Sequence, residues 1–172
     1  VVQWSESTQS WVSVGGIQAE SIAVGQNQAP YIVTAKGEIF TTQKPKNQVF
    51  WSNIEGQARD ISEGADGSIW ILGKNGIAGG YEVYRRNKQG TAWDKIERGL
   101  VKIAAAPDGS AWGVNSDGNM FKYTGSSWQS IDGWAQDIAV GADNTVWHIG
   151  TNNMFWKRNG NSGSWVNVPG RG

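Results

Sequence analysis

The side chains best suited to chemistry in this chain of 172 residues are its 11 tryptophans. An indole presents a broad apolar face that can stack on the C–H face of a sugar ring. Amides, acids or guanidinium groups beside it can then bond the hydroxyls. Trp134 and Trp4 are the two tryptophans that lie off every repeating column of the sequence, so a packing role explains them least. Trp134 follows Gly133 on an expected loop between repeats, where other repeats carry Gln57 or Gly99. Trp4 shares its register position with Arg86 and Tyr123. The candidate glycan-binding set is Trp134, Trp4, Trp70, Trp112, Trp147, Asn115 and Arg86.

Catalytic chemistry finds little to build on. There is one histidine, His148, and no cysteine, so neither a His-rich nor a thiolate metal site is expected. His148 reads as an ordinary strand residue. Nucleophile-elbow, zinc-protease and phosphate-loop motifs are absent from the sequence. Asp60 and Asp137 recur in the runs ARDI and AQDI, where the other repeats carry Ser21 and Lys102. A glycosidase needs two carboxyl groups about 5–10 Å apart across one cleft. Acids placed one per repeat are dispersed, and a turn or a contact between repeats accounts for them. Asp66, Asp108 and Asp143 lack the dense alternation of a calcium loop and fit hairpin turns instead. No catalysis, cofactor or metal is therefore expected.

The elements that position these residues follow from self-similarity. One tryptophan column reads Trp11, Trp51, Trp93, Trp128 and Trp165. A glycine follows five residues later at Gly16, Gly56, Gly133 and Gly170, but Arg98 replaces it in the third repeat. A second column, Ile22, Ile61, Ile103 and Ile138, lies nine residues before a third, Tyr31, Trp70, Trp112 and Trp147. A fourth begins at Val1, Ile39, Val83, Met120 and Phe155. Each repeat thus holds four short segments rich in β-branched and aromatic residues, bounded by turn pairs such as Asp66-Gly67, Asp108-Gly109 and Asp143-Asn144.

Four antiparallel strands per repeat make a blade, and the chain is expected to be an all-β propeller. The reading is a single domain over 1–172, with blades at about 21–56, 57–99, 100–133 and 134–170. The IAVG-type strand, rich in small residues, belongs at the crowded axis, and the Trp-headed strand belongs outermost. Residues 1–16 supply only the outer half of another blade. That half blade fits a fragment of a longer array, an incompletely closed five-position ring, or completion by a second chain in a homo-oligomer. The run KNGIAGGYE at 74–82 is the longest insertion, and its three glycines predict a mobile loop.

Composition narrows the partners. Net charge is zero and the pI is about 6.8, which disfavours nucleic acid. No apolar run reaches membrane-spanning length, so no membrane insertion is expected. The opening VVQW has no charged region followed by an apolar one, so no signal peptide is read there.

The runs WSNIEGQARDISEGADGSIW, Trp51 to Trp70, and WQSIDGWAQDIAVGADNTVW, Trp128 to Trp147, resemble the tectonin repeat. Trp112 to Asn115, reading WGVN, is a form also common there. The first repeat departs most, lacking an Asp-Gly turn and carrying Tyr31 for tryptophan. The resemblance, to tectonin and tachylectin-1-like lectins, implies binding of microbial surface glycans, including lipopolysaccharide or methylated sugars, in an innate-immunity role. It implies several equivalent sites between blades, hence a multivalent lectin that is secreted or faces the cell surface rather than the cytoplasm. Such propellers usually have five or six blades. The alternative is a protein-interaction or assembly propeller, as tectonin-like repeats also occur within larger intracellular proteins.

Overall fold

The computed structural model describes residues 1–25, 29–43, 50–159 and 163–172. Residues 26–28, within the run of the first repeat that lacks an Asp-Gly pair, lie outside them. Every regular element among the described residues is a β-strand. β1 (Val2–Ser5) and β2 (Ser10–Ser13) form a two-stranded sheet. The first full blade is β3 (Ser21–Val24), β4 (Pro30–Val33), β5 (Glu38–Gln43) and β6 (Phe50–Gln57), paired in that order. The second is β7 (Asp60–Glu63), β8 (Ile69–Ile77), β9 (Gly80–Arg86) and β10 (Trp93–Leu100).

β11 (Lys102–Ala105), β12 (Ala111–Val114) and β13 (Asn119–Tyr123) pair in sequence and lead to β14 (Trp128–Val140). The first half of β14 closes the third blade against β13, and its second half opens the fourth against β15 (Thr145–Gly150). β16 (Met154–Asn159) and β17 (Val166–Arg171) complete that blade. Every pairing is antiparallel, as short hairpin connections require. The turns are of the kind expected from sequence. Asp66, Asp108 and Asp143 each accept the backbone N–H two residues on, at 2.9–3.0 Å, while Gly67, Gly109 and Asn144 take positive φ.

The insertion at 74–82 is not a mobile loop. β8 and β9 simply extend, pairing Gly76 with Tyr81 and Ile77 with Gly80 around a tight turn at Ala78 and Gly79. The glycines serve that turn, with φ of 86° at Gly79 and 141° at Gly80. The extended hairpin lies on the next blade, where Ser116 N–H donates to the Gly79 carbonyl at 2.9 Å.

The core consists of apolar layers between successive blades. Ala23, Val33 and Ile39 meet Ala58, Ile61 and Ile71 between the first and second. Trp70, Leu72 and Val83 meet Ile103, Ala105 and Phe121 between the second and third. Trp112, Val114 and Met120 meet Ala135, Ile138 and Val146 between the third and fourth. The inner strands are joined by polar contacts at the column that carries Asp60 and Asp137. Ser21 Oγ donates to Asp60 at 2.7 Å, and Lys102 reaches Asp137 at 3.4 Å. These two acids therefore serve contacts between blades. The column residues Ile22 and Trp147, at the two ends of the series, remain 53% and 38% exposed, whereas Ile61 and Trp70 are buried. The difference is the neighbouring inner strands, which cover the interior blades on both faces.

The outer strands are joined by a repeated indole hydrogen bond. Trp51 Nε1 donates to the Val14 carbonyl, Trp93 to Glu55 and Trp165 to Asp132, each at 2.8 Å. The accepting carbonyls at Glu55 and Asp132 belong to β-bulges, where β6 and β14 carry two extra residues between paired positions. The second bulge residue is Gly56 or Gly133, with φ of 126° or 111°. A Cβ at Gly56 would sit 2.8 Å from Trp93 Nε1. In the half blade this position is Gly15, not Gly16: a Cβ at Gly15 would meet Trp51 Nε1 at 2.6 Å, while Gly16 faces open space. Gly56→Ala is accordingly expected to cost more than ~1 kcal/mol in denaturant unfolding, and Gly16→Ala to stay within ~0.5 kcal/mol. Equal effects of the two would contradict this account of the bulge.

Candidate functional site

At the first–second and third–fourth junctions an acid–glycine bulge lies beside the residues that follow the second strand of the next blade. Between the third and fourth blades they enclose a cleft of about 310 Å³. Asp132, Gly133 and Trp134 form one wall. His148, Gly150, Thr151 and Asn152 form the other, with Trp156 and Trp165 at the base. Trp134 is 63% exposed. It stands within β14, which runs unbroken from blade to blade, rather than on the loop expected from sequence.

His148 is buried and sits between two indoles. Its ring lies parallel to Trp156 at 6.4 Å and edge-on to Trp165 at 4.4 Å. Its Nδ1 is buried without a hydrogen-bond partner among the described residues. Burial pushes the imidazole below its ordinary value, so the ring is held neutral and adds an apolar, aromatic surface to the cleft. Arg158 lies over Trp165 at 5.3 Å, a cation–π contact.

An equivalent cleft of about 260 Å³ opens between the first and second blades. Its walls repeat the same columns: Gly56 for Gly133, Gln57 for Trp134, Ile71 for His148, Asn75 for Asn152, Tyr84 for Trp156 and Trp93 for Trp165. Its chemistry is different. Glu82 accepts from Lys95 at 2.7 Å, Tyr84 at 2.8 Å and Asn75 at 3.0 Å. Those bonds, led by the one from Lys95, hold its carboxyl down at about 2. The polar groups of this cleft thus already satisfy one another.

The other candidate residues do not gather at one site. Trp70 and Trp112 are 0% and 1% exposed, so the expectation that they contact a ligand is corrected: they are core between blades, covered by Tyr123 and Trp165. Trp147 lies on the bare face of the fourth blade beside Ile149 and Phe155, with Lys157 over its ring at 5.6 Å. Trp4 packs edge-on against Trp11 in the half blade, at 5.6 Å. Asn115 caps its own turn, its Oδ1 accepting from Asp117 N–H at 3.1 Å and Asn119 N–H at 2.8 Å. Arg86 stacks on Trp93 at 4.8 Å and donates to the Gly90 carbonyl at 2.7 Å, at the edge of a separate polar groove.

Of the candidate set, only Trp134 lines the aromatic cleft. His148, Trp156 and Asp132 are the residues that sequence reasoning did not assign to it. The signal was present in the columns of His148 and Trp156, which align with Ile71 and Tyr84 of the first cleft. Among the described residues no group of three or more His, Cys, Asp or Glu side chains could hold a metal ion.

Four-stranded antiparallel blades with clefts at their junctions define a β-propeller module. Residues 99–171, less than half of the chain, match the family model described as the Tectonin domain. Solved propellers share the fold. The gluconolactonase XC5397 from Xanthomonas campestris matches with a TM-score of 0.58 and 14% identity over 87% of this chain and 62% of its own. YCF48 bound to D1 peptide matches with a TM-score of 0.59 and 16% identity, over 92% and 58%. The Dos1 propeller matches with a TM-score of 0.59 and 8% identity, over 98% and 53%. The chain therefore spans between half and two thirds of the length of these structures. No curated protein matches it.

The depressed His148 gives a pH prediction. Its folded-state pKa lies below the ordinary imidazole value of about 6.5, so the unfolded chain takes up the proton first as pH falls. The contribution of neutral His148 is fully present above that value and is lost as pH drops through it toward the folded-state pKa. Denaturation between about pH 7 and 5 should show this loss, and His148→Gln should flatten it. An unchanged slope in the variant would place the titrating group elsewhere.

Proposed function

We propose that this chain is a non-catalytic lectin that recognises microbial surface glycans through clefts between its blades. The observation that carries the reading is the cleft at Trp134. An exposed indole faces an aromatic base, with Asp132, Thr151 and Asn152 at its rim to bond hydroxyls. A pyranose places its apolar face and its polar edge in that same relation. The repeat-related cleft at Gln57 and Trp93 offers a second site with a more polar wall. Two such sites on one rigid module support avidity on a repetitive cell surface. The two inner-strand acids support the absence of catalysis in this proposal, since Asp60 and Asp137 are each engaged in a contact between blades.

A second reading, a protein-docking propeller, is favoured by one observation. The bare face of the fourth blade exposes Trp147, and the half blade exposes Trp11 at 66%. Such surfaces suit assembly, and YCF48 is a propeller whose structure holds a peptide. Solution mass together with co-purification separates the two readings.

A microbial glycan array tests the first. The folded protein is expected to retain a defined subset of saccharides, and Trp134→Ala to weaken that binding about tenfold through loss of the stacking face. Because Trp134 is largely exposed, the variant's stability should stay within ~0.5 kcal/mol of the parent. A well-folded parent that retains no saccharide would sink the lectin reading.

A further inference from the structure

The junction between the second and third blades breaks the pattern of the other two. Its bulge residues are Glu97 and Arg98, in the place of Glu55-Gly56 and Asp132-Gly133. Arg98 is not among the residues of positive φ, so the bulge turns differently from those with glycine. One consequence is local: Trp128, alone among the indoles that follow a full blade in the series Trp93, Trp128 and Trp165, has its Nε1 buried without a partner. It packs instead against Trp70 at 6.3 Å and Tyr123 at 5.3 Å.

The other consequence concerns the guanidinium. It lies over the Phe121 ring, 3.4 Å from the centroid, at the position where the flanking junctions have open clefts. Phe121 occupies the column of Tyr84 and Trp156, the ring positions of those clefts. Arg98 is half-buried. It makes no ion pair and no hydrogen bond to any described residue. Burial alone shifts its titration, with no carboxylate contributing. A guanidinium whose flat face rests on an aromatic ring has its orientation fixed and its donor edge unspent. That edge presents parallel N–H groups matched to the two oxygens of a carboxylate or to a phosphate.

We propose that Arg98 makes the second–third junction a separate oxyanion site, one that takes the carboxylate or phosphate ester of an acidic saccharide. The saccharide body of the ligand rests on the lectin reading above; the oxyanion itself does not. Phe121 holds the cation in place, and the bidentate pair forms without the cost of ordering a long side chain. The flanking clefts, which have glycine at this position, take neutral sugar faces. One substitution in a repeat column thereby divides the ligand classes among junctions.

The test is an NMR titration of the whole chain, following the Arg98 side-chain and Trp128 indole N–H resonances. The probes are methyl glucuronide, a glucose phosphate ester and, as the neutral control, methyl glucoside. The anionic probes are expected to shift both resonances with a Kd of about 1 mM, and methyl glucoside to leave them still. A response to the glucuronide alone assigns a carboxylate, and a response to the phosphate ester alone assigns a phosphate; each supports the site. Binding should weaken when salt is raised to about 1 M. Arg98→Lys, which keeps charge but loses the planar fork, should bind about tenfold more weakly, and Arg98→Gly should lose the response. Trp134→Ala should leave it intact, so failure of the neutral-sugar reading would show separately at the Trp134 resonance. No shift with either anion, an equal shift with methyl glucoside, or a response that survives in Arg98→Gly would overturn the proposal.

Discussion

The indole hydrogen bond that Trp51, Trp93 and Trp165 each donate to a backbone carbonyl of the blade before is the directed contact around which the rim of three of the four junctions is arranged. Blades of a propeller share no ladder hydrogen bonds with one another, except where β14 runs through two of them. Their relative placement is left to apolar layers, which are non-directional, and to a few directed contacts. Trp51, Trp93 and Trp165 supply the directed contacts at the rim, as Ser21–Asp60 and Lys102–Asp137 do nearer the axis. A tryptophan suits the rim because its body buries apolar surface while its single N–H specifies one carbonyl. The carbonyl is available because a β-bulge has withdrawn it from the ladder. The glycine that permits the bulge also clears the space into which the indole fits, so one residue satisfies both a backbone and a packing requirement.

This joint also makes the clefts. The bulge turns the chain away from the ladder just before it enters the next blade, and the residue after the glycine is carried to the surface. That residue is Gln57 in one junction and Trp134 in another. The scaffold positions of the cleft are therefore fixed by folding, while its exposed wall can vary without disturbing the core. His148 shows the limit of that freedom. It replaces Ile71 of the equivalent cleft in a buried position, and the replacement is tolerated in neutral form between two indoles.

The strands and their antiparallel order could be read from the tryptophan, isoleucine and aromatic columns, since each column marks one side chain per strand at a fixed register. Asp60 and Asp137 were legible as contacts between blades because their column partners, Ser21 and Lys102, can complete them. The candidate site was legible only at Trp134. Trp70 and Trp112 were drawn into the candidate set by residue type, yet type does not tell a face turned toward a neighbouring blade from one turned to water. The same column exposes Trp147, where the covering strands are lacking, so burial here is a property of the neighbour rather than of the residue. Asn115 and the glycines of 74–82 misled in the opposite sense, because turn chemistry and extended pairing use the same residue types as binding loops. Gly15 escaped a fixed count of five residues, since the half blade has one residue fewer between Trp11 and the glycine beneath the next indole.

Arg98 shows how a repeat protein can separate structural and functional demands at one column. Losing the glycine costs the junction its indole hydrogen bond and leaves the Trp128 N–H buried and unpaired, a penalty of roughly 1–3 kcal/mol. The guanidinium over Phe121 returns part of it, since a desolvated cation–π contact contributes up to about 2 kcal/mol. The extended hairpin of β8 and β9 offers further compensation through the bond from Ser116 to Gly79, a contact between the same two blades. The second and third blades are thus held by a different set of contacts from their neighbours, and the rim hydrogen bond is dispensable where others replace it. With the joint secured in this way, the bulge position is released from its structural duty, and its side chain becomes free to meet a ligand.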